Sequence, residues 1–164
     1  MIQIVQDLKL DDLRSLVAEV IGVPLDNVLE WGVQQDVSAL PFFCTVRKNP
    51  SSQLSTHKKF DRANEVQTIE SQKSTVVIVG FHGKNAVTMA EFFELALISE
   101  KANHLFDNIN AGLVNTSDIQ NLTIPLAGGY EERAEIQLTL SHNFIIKYEQ
   151  NKIDSVNIGL VLNQ

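Results

Sequence analysis

Residues 134–148 read AEIQLTLSHNFIIKY, and this stretch decides the fold. Apolar side chains alternate with polar ones along it, which predicts a β-strand with one buried face. A strand of this length would extend about 50 Å at about 3.3 Å per residue, so we expect it to bend or to outgrow the domain. His142 interrupts the alternation, and we expect it to be a hydrogen-bonded histidine of the core or of an interface. The apolar face comprises Ala134, Ile136, Leu138, Leu140, Phe144, Ile146 and Tyr148.

Three further strands are predicted around this one. Residues 75–81, TVVIVGF, are continuously apolar and β-branched, which is typical of a central strand buried on both faces. Residues 39–46, ALPFFCTV, predict a strand with Pro41 near its beginning or on an edge, and with Cys44 as an unreactive core thiol. After a turn at residues 150–152, a last strand is expected to carry on one face Val156, Ile158, Leu160 and Leu162.

Helical patterns occupy two regions. Residues 10–21 have apolar residues at helical spacing and end at Gly22. A second helix, capped by Asn85 or Thr88, is followed by a third from about Glu100 to Ala111, and residues 26–36 are ambiguous. We therefore predict an α+β fold in one domain over residues 1–164, with a mostly antiparallel β-sheet and the N-terminal helix and two central helices on one face.

Residues 48–74 are polar, and we predict either a mobile loop or a projecting hairpin, because compact domains rarely contain so long a plain loop. Residues 47–73 carry six Lys or Arg and three Asp or Glu, a charge of +3, whereas the remainder carries seven and seventeen, a charge of −10. The net charge of −7 argues against general affinity for nucleic acids, which requires lysines and arginines that displace counterions from phosphates.

The sequence contains no pattern that we interpret as catalytic, metal-binding or cofactor-binding. Its four histidines are scattered, and its single cysteine cannot form an intrachain disulfide. The N-terminus lacks the pattern of a signal peptide, and no apolar run reaches the roughly 20 residues of a membrane span. We expect a cytosolic product that is not an enzyme, has no cofactor and has no membrane partner.

Residues 121–140 read NLTIPLAGGYEERAEIQLTL and resemble the C-terminal signature of phage neck and tail-terminator proteins. In that family a short apolar run leads to a glycine, an aromatic residue, a glutamate, an arginine and then an alternating strand. The matching residues here are Gly129, Tyr130, Glu132 and Arg133, followed by the alternation of residues 136–140. Residues 75–83 and the helix after them are similar to the central strand, glycine turn and helix of the family, so the resemblance covers about residues 74–148.

The resemblance implies a tail-terminator-like fold and a structural subunit of the phage virion. Such a subunit is expected to form a homo-oligomeric ring, with six copies as the expected number, where the tail tube or neck ends. The ring would join the tail tube to the head-side connector or neck proteins, and double-stranded DNA would pass through its lumen without specific binding. The chain would be made in the host cytoplasm and would be located in the virion.

Two groups of residues are candidate subunit contacts. Tyr130, Glu132 and Arg133 lie where the long strand begins, and the basic segment could grip an acidic neighbour through Lys58, Lys59 and Arg62. A solvated, flexible loop is the alternative for this basic segment.

The sequence is also compatible with other functions. One is a small-molecule-binding module whose pocket lies between the sheet and the helices, with His82 and Lys84 at its mouth. Another is a different virion assembly protein, for tail completion or as a connector. A third is an enzyme of unknown chemistry.

Overall fold

The computed structural model describes residues 1–150, so the predicted strand at residues 156–162 lies outside the described part of the chain. The strands of the first half are β1 (Ile2–Gln6), β2 (Val28–Glu30), β3 (Phe42–Lys48), β4 (Ser52–Asp61) and β5 (Val66–Gly83). The helices are α1 (Leu10–Ile21), α2 (Ala86–Ala96) and α3 (Glu100–Asn108). The later strands are β6 (Ala111–Thr116), β7 (Gln120–Asn121), β8 (Ile124–Leu126), β9 (Gly129–Glu131) and β10 (Arg133–Glu149).

One sheet dominates the structure, with the strand order β1-β10-β5-β3-β2. β4 lies beside β5, and both β6 and β7 lie beside β10. The two long strands β5 and β10 pair antiparallel along their whole shared length, from Arg133 opposite His82 to Glu149 opposite Val66. Only β2 and β3 pair in parallel among the described residues. The predicted α+β fold with a mostly antiparallel sheet is confirmed; a single domain over residues 1–164 stays a prediction.

The hydrophobic core lies between one face of this sheet and the three helices. Alternate residues of β10 supply the sheet side, and the rings of Phe81 from β5 and Phe93 from α2 meet at a centroid distance of 5.5 Å. Both aromatic side chains are fully buried, and each such burial stabilises the fold by about 1.5–3 kcal/mol. The core residues of the two long strands are Val77, Val79, Phe81, Ala134, Ile136, Leu138 and Leu140.

The helix boundaries follow the local sequence signals. α1 has Asp11 and Asp12 in its first turn, and it ends at Gly22, which adopts the left-handed conformation with φ of 80°. α3 begins after Ser99, whose side chain accepts a hydrogen bond from the backbone N–H of Ala102. The third predicted helix extended to Ala111, which was too long, because that residue instead opens β6 beside β10.

In the first half of the chain, two short strands were not predicted. β1 pairs with the far end of β10, and its Ile2-Gln3-Ile4 alternation was too brief to stand out at the chain terminus. The ambiguous stretch at residues 26–36 contains a single 3₁₀ turn, Leu25–Asn27, followed by β2. Both strands depend on a partner that lies far away in the sequence, so local pattern alone signals them weakly.

Residues 48–74 form a β-hairpin rather than a mobile loop. β4 pairs with the first part of β5, and β5 then continues without a break into the central strand. β10 is correspondingly 17 residues long, slightly longer than the predicted stretch, and its second half extends past the last core residue, Leu140. We call the extension the arm: β1, β4, residues 66–74 of β5 and residues 141–149 of β10.

Candidate assembly interface

The segment that carries the Gly-Gly-Tyr-Glu-Glu-Arg sequence forms a small hairpin outside the main sheet. β8 and β9 pair antiparallel, from Ile124 opposite Glu131 to Leu126 opposite Gly129. Ala127 and Gly128 make the turn, and Gly128 has φ of +106°, a conformation that side chains with a Cβ rarely adopt. The hairpin leaves the side chain of Tyr130 70% exposed.

The charged residues after Tyr130 have separate partners. Arg133 Nη2 donates a hydrogen bond to Glu131 Oε2 at 2.9 Å. Arg133 Nε is buried and has no hydrogen-bond partner within residues 1–150. The backbone N–H of Ala86, the first residue of α2, donates to Glu132 Oε2 at 3.2 Å. A carboxylate at this position stabilises the helix N-terminus, so Glu132 ties β10 to α2.

The basic residues of the arm are solvent-exposed. Lys58 and Lys59 lie on β4, Arg62 lies in the turn that follows, and none of the three forms an ion pair with any residue up to 150. The turn itself is held by Asp61, which accepts hydrogen bonds from the Asn64 side chain at 2.7 Å and from the Ala63 backbone at 2.9 Å. These bonds, that from Asn64 first, lower the pKa of Asp61. The arm therefore presents its positive charge on an ordered hairpin.

One face of the arm carries exposed apolar residues. Directly opposed residues of neighbouring strands share a face, and the pairings place Ile4, Ile146, Ile69 and Lys58 in one row across the four strands. This is the side on which the helices cover the rest of the sheet, since Ile146 has the same strand parity as Leu138. Yet Ile2 is 71% exposed and Ile4 is 61% exposed. The helix-side face of the arm thus has an exposed apolar surface at Ile2 and Ile4.

A second exposed apolar surface lies at the end of α2. Leu95 is 69% exposed and Ile98 is 75% exposed, and beside them Val114 of β6 is 62% exposed. A cavity of about 430 Å³ separates the helix end from β6, and Glu94 lines it. We call this surface the α2–β6 groove. An apolar groove with an acidic residue at its rim is typical of a protein contact.

The predicted small-molecule pocket is not formed as expected. His82 lines a cavity of about 380 Å³ with Trp31 and Arg133, whereas Lys84 lines a different cavity of about 540 Å³ with Tyr130. The ring of His82 stacks on Phe43 at a centroid distance of 4.7 Å. Burial first, and then the charge of Arg133, lower the pKa of His82. His82 and Lys84 therefore do not share the mouth of one pocket.

Two reactive residue types are parts of the core. Cys44 is fully buried, and burial raises the pKa of its thiol to about 12, so the prediction of an unreactive core cysteine is confirmed. His142 is 5% exposed, and its Nε2 lies 2.8 Å from Thr75 Oγ1, as expected for a hydrogen-bonded core histidine. Residues 1–150 contain no group of three or more His, Cys, Asp or Glu residues arranged to hold a metal ion.

Comparison with known families gives the identification. The sequence of residues 11–164 matches the family described as phage neck terminator protein. No curated protein matches the chain. None of the helices in residues 1–150 has the length and apolar character needed to cross a membrane. Since the match extends from the start of α1 through the long strands to the last residue, the chain belongs to the phage neck terminator protein family.

Proposed function

We propose that this chain is the subunit of a ring of six copies, which terminates the tail tube and joins it to the head-side connector. Family membership supports a structural role in the phage neck as a virion component. The arm is the observation that carries the ring proposal, because it adds four strands beyond the core and leaves apolar residues in solvent. Exposed apolar surfaces of this kind mark sites of association.

The positions of the two apolar surfaces favour a ring over a two-fold dimer. A two-fold contact brings the same surface of each copy together, whereas a head-to-tail contact joins two different surfaces and closes into a ring when the rotation permits. The arm and the α2–β6 groove are different surfaces of one chain. Their charges differ as well, since Lys58 and Lys59 lie on the arm and Glu94 lies at the groove.

Within this ring, we assign the contacts to the two groups of residues that the sequence indicated. Tyr130 is an exposed aromatic side chain, a residue type that dominates interface energetics, and Arg133 follows three residues later at the start of β10. Glu132 acts indirectly, because its bond to the start of α2 fixes the β8–β9 hairpin in place. The second group is Lys58, Lys59 and Arg62 on the arm.

The partners in this proposal are further copies of the chain, the tail tube, and the connector or neck proteins on the head side. Double-stranded DNA passes through the lumen without specific binding, because the surface outside residues 47–73 carries an excess of acidic residues. The chain is made in the host cytoplasm and acts in the virion.

The test is the mass of the purified chain, measured by light scattering across a range of concentrations. We expect a species of six times the chain mass that dissociates on dilution. Tyr130→Ala should lower the fraction of rings while the circular dichroism spectrum stays unchanged, and Tyr130→Phe, which keeps the aromatic ring, is the matched control. A chain that stays monomeric up to its solubility limit contradicts the proposal, and it would favour a binding module if small molecules also raised its melting temperature.

A further inference from the structure

Several strands of the main sheet have one edge without a partner in the described part of the chain, and β4 and β6 are two of them. β4 pairs with β5 alone, and β6 pairs with β10 alone. β5 has β10 on one side and both β3 and β4 on the other, whereas β10 has β6 on the side away from β5. β4 and β6 are therefore two exposed edges on opposite sides of one sheet. Exposed edges present unpaired backbone N–H and C=O groups, which invite another strand to pair.

The strand directions allow these two edges to pair between copies. β4 is antiparallel to β5, and β5 is antiparallel to β10, so β4 runs in the direction of β10. β6 runs in the opposite direction. When a second copy continues the sheet in the same orientation, its β6 lies antiparallel to the β4 of the first copy, which is the arrangement of a stable ladder.

The side chains at the two edges are complementary on the helix side of the sheet. Lys58 and Phe60 of β4 lie on this side, because they oppose Ile69 and Gln67 of β5, which share a face with Ile146 and Tyr148. In a continued sheet they would face α2 of the next copy. That helix has acidic residues but no Lys or Arg, and the residues near its C-terminal end include Glu91, Glu94, Leu95 and Ile98. Lys58 would meet the carboxylates, and Phe60 would meet the exposed apolar side chains.

We infer that β4 of one copy adds to the β6 edge of the next copy, with Lys58 facing the acidic rim of the α2–β6 groove. This pairing rests on the proposed ring and names the surfaces that build it. It pairs these two edges with each other, and because the two edges differ, the contact is head-to-tail and can close a ring. Main-chain hydrogen bonds supply affinity in such strand addition, while the side chains select the partner.

The experiment exchanges the charges on each side. One variant carries Lys58→Glu and Lys59→Glu, and the other carries Glu91→Lys and Glu94→Lys. Each variant alone should associate at least about tenfold more weakly than the wild type, since like charges then face each other. Mixed in equal amounts, the two variants should form rings of wild-type mass in which they alternate, because every contact again joins opposite charges. Native mass spectrometry counts both kinds of subunit.

A control variant makes the same change in net charge elsewhere. Lys9 and Lys101 are exposed and lie outside both surfaces, so Lys9→Glu with Lys101→Glu should leave the rings intact. Circular dichroism checks that all variants fold.

The possible outcomes separate the two proposals. A wild-type chain that forms no rings contradicts the ring itself. Wild-type rings that persist in both exchanged variants contradict the pairing of β4 with β6 while the ring stands. The pairing is also contradicted if both variants lose the rings and mixing does not restore them.

Discussion

Gly83 is the residue at which the central strand turns toward the helix layer. It has φ of +96°, and a Cβ built on it would lie 2.2 Å from the carbonyl oxygen of Pro41, a backbone atom that cannot move aside. We predict that Gly83→Ala lowers the free energy of unfolding by about 3 kcal/mol, from backbone strain together with the clash. Urea denaturation measures this change.

Substitutions at two other glycines separate the backbone strain from the steric clash. Gly128→Ala adds a side chain at φ of +106° with nothing within 4 Å of its Cβ. Backbone strain alone should therefore lower the free energy of unfolding, by about 1–2 kcal/mol. A Cβ at Gly129 also meets nothing, and no positive φ applies, so Gly129→Ala should be close to neutral. Equal losses at Gly83 and Gly128 would show that the contact with Pro41 is unimportant.

The buried His142 gives a pH dependence whose sign follows from its surroundings. Burial first, and then the charge of Lys48, lower the pKa of His142 below its ordinary value of 6.5. The folded state therefore favours the neutral ring. Its contribution to stability is fully present above pH 6.5 and is lost as the pH falls through the lower pKa of the folded state.

We accordingly predict that the wild type loses stability below pH 6.5 more steeply than His142→Gln. The slopes of the free energy of unfolding against pH should differ by at most about 1.4 kcal/mol per pH unit, the value for one proton. Thermal unfolding monitored between pH 7.5 and 5 measures it. His82, whose pKa is also lowered, remains in both proteins and provides the common background. Identical slopes in the two proteins would contradict the assignment to His142.

The long elements could be predicted from the sequence because burial shapes their pattern. β5 is apolar on both faces where the sheet is covered, and β10 alternates where one face meets the helices. β4 could not be predicted firmly, because it lies beyond the core and nearly all of its residues are exposed. A strand without a buried face needs no alternation of apolar and polar residues. β6 was not predicted, because the sequence Ala111-Gly112 also fits the end of a helix.

The candidate interface shows the same limit. Tyr130 and Arg133 could be found from a local motif, whereas the bond between Glu132 and the start of α2 joins residues 46 positions apart. The α2–β6 groove was also missed. Leu95 and Ile98 are two apolar residues at the end of α2 that remain exposed, but only the position of β6 beside them defines a surface.

The arm permits a deletion that preserves the remaining hairpin register. Thr56 lies directly opposite Ser71, so residues 57–70 can be replaced by Asn-Gly, a two-residue hairpin turn. None of the core residues lies in the deleted stretch. We predict that the shortened chain still folds and that its free energy of unfolding falls by less than about 2 kcal/mol, as for ordinary changes outside a core. We also predict that it no longer forms rings. Calorimetry and light scattering measure the two effects, and wild-type rings from the shortened chain would remove the arm from the interface.

At the scale of the whole molecule, the charge distribution connects assembly with the passage of DNA. The basic residues of 47–73 give +3 and the rest of the chain gives −10. If the basic arm is covered by the acidic groove of the next copy, assembly neutralises the surface that could attract phosphates. The ring would then expose a more uniformly acidic surface than the free chain does.

This leads to a prediction that separates the assembled and unassembled states. At about 150 mM salt, near the physiological value, wild-type rings at micromolar concentration should not retard linear double-stranded DNA in a gel, since non-specific binding needs exposed cations that release counterions. The Glu91→Lys and Glu94→Lys variant leaves the arm uncovered and adds positive charge to α2. It should bind DNA weakly, with an affinity that falls steeply as salt rises. The variant with Lys58→Glu and Lys59→Glu is equally unassembled but more acidic, and it should not bind. Retardation by the wild-type ring that disappears with added salt would show that its surface holds DNA instead of letting it slide.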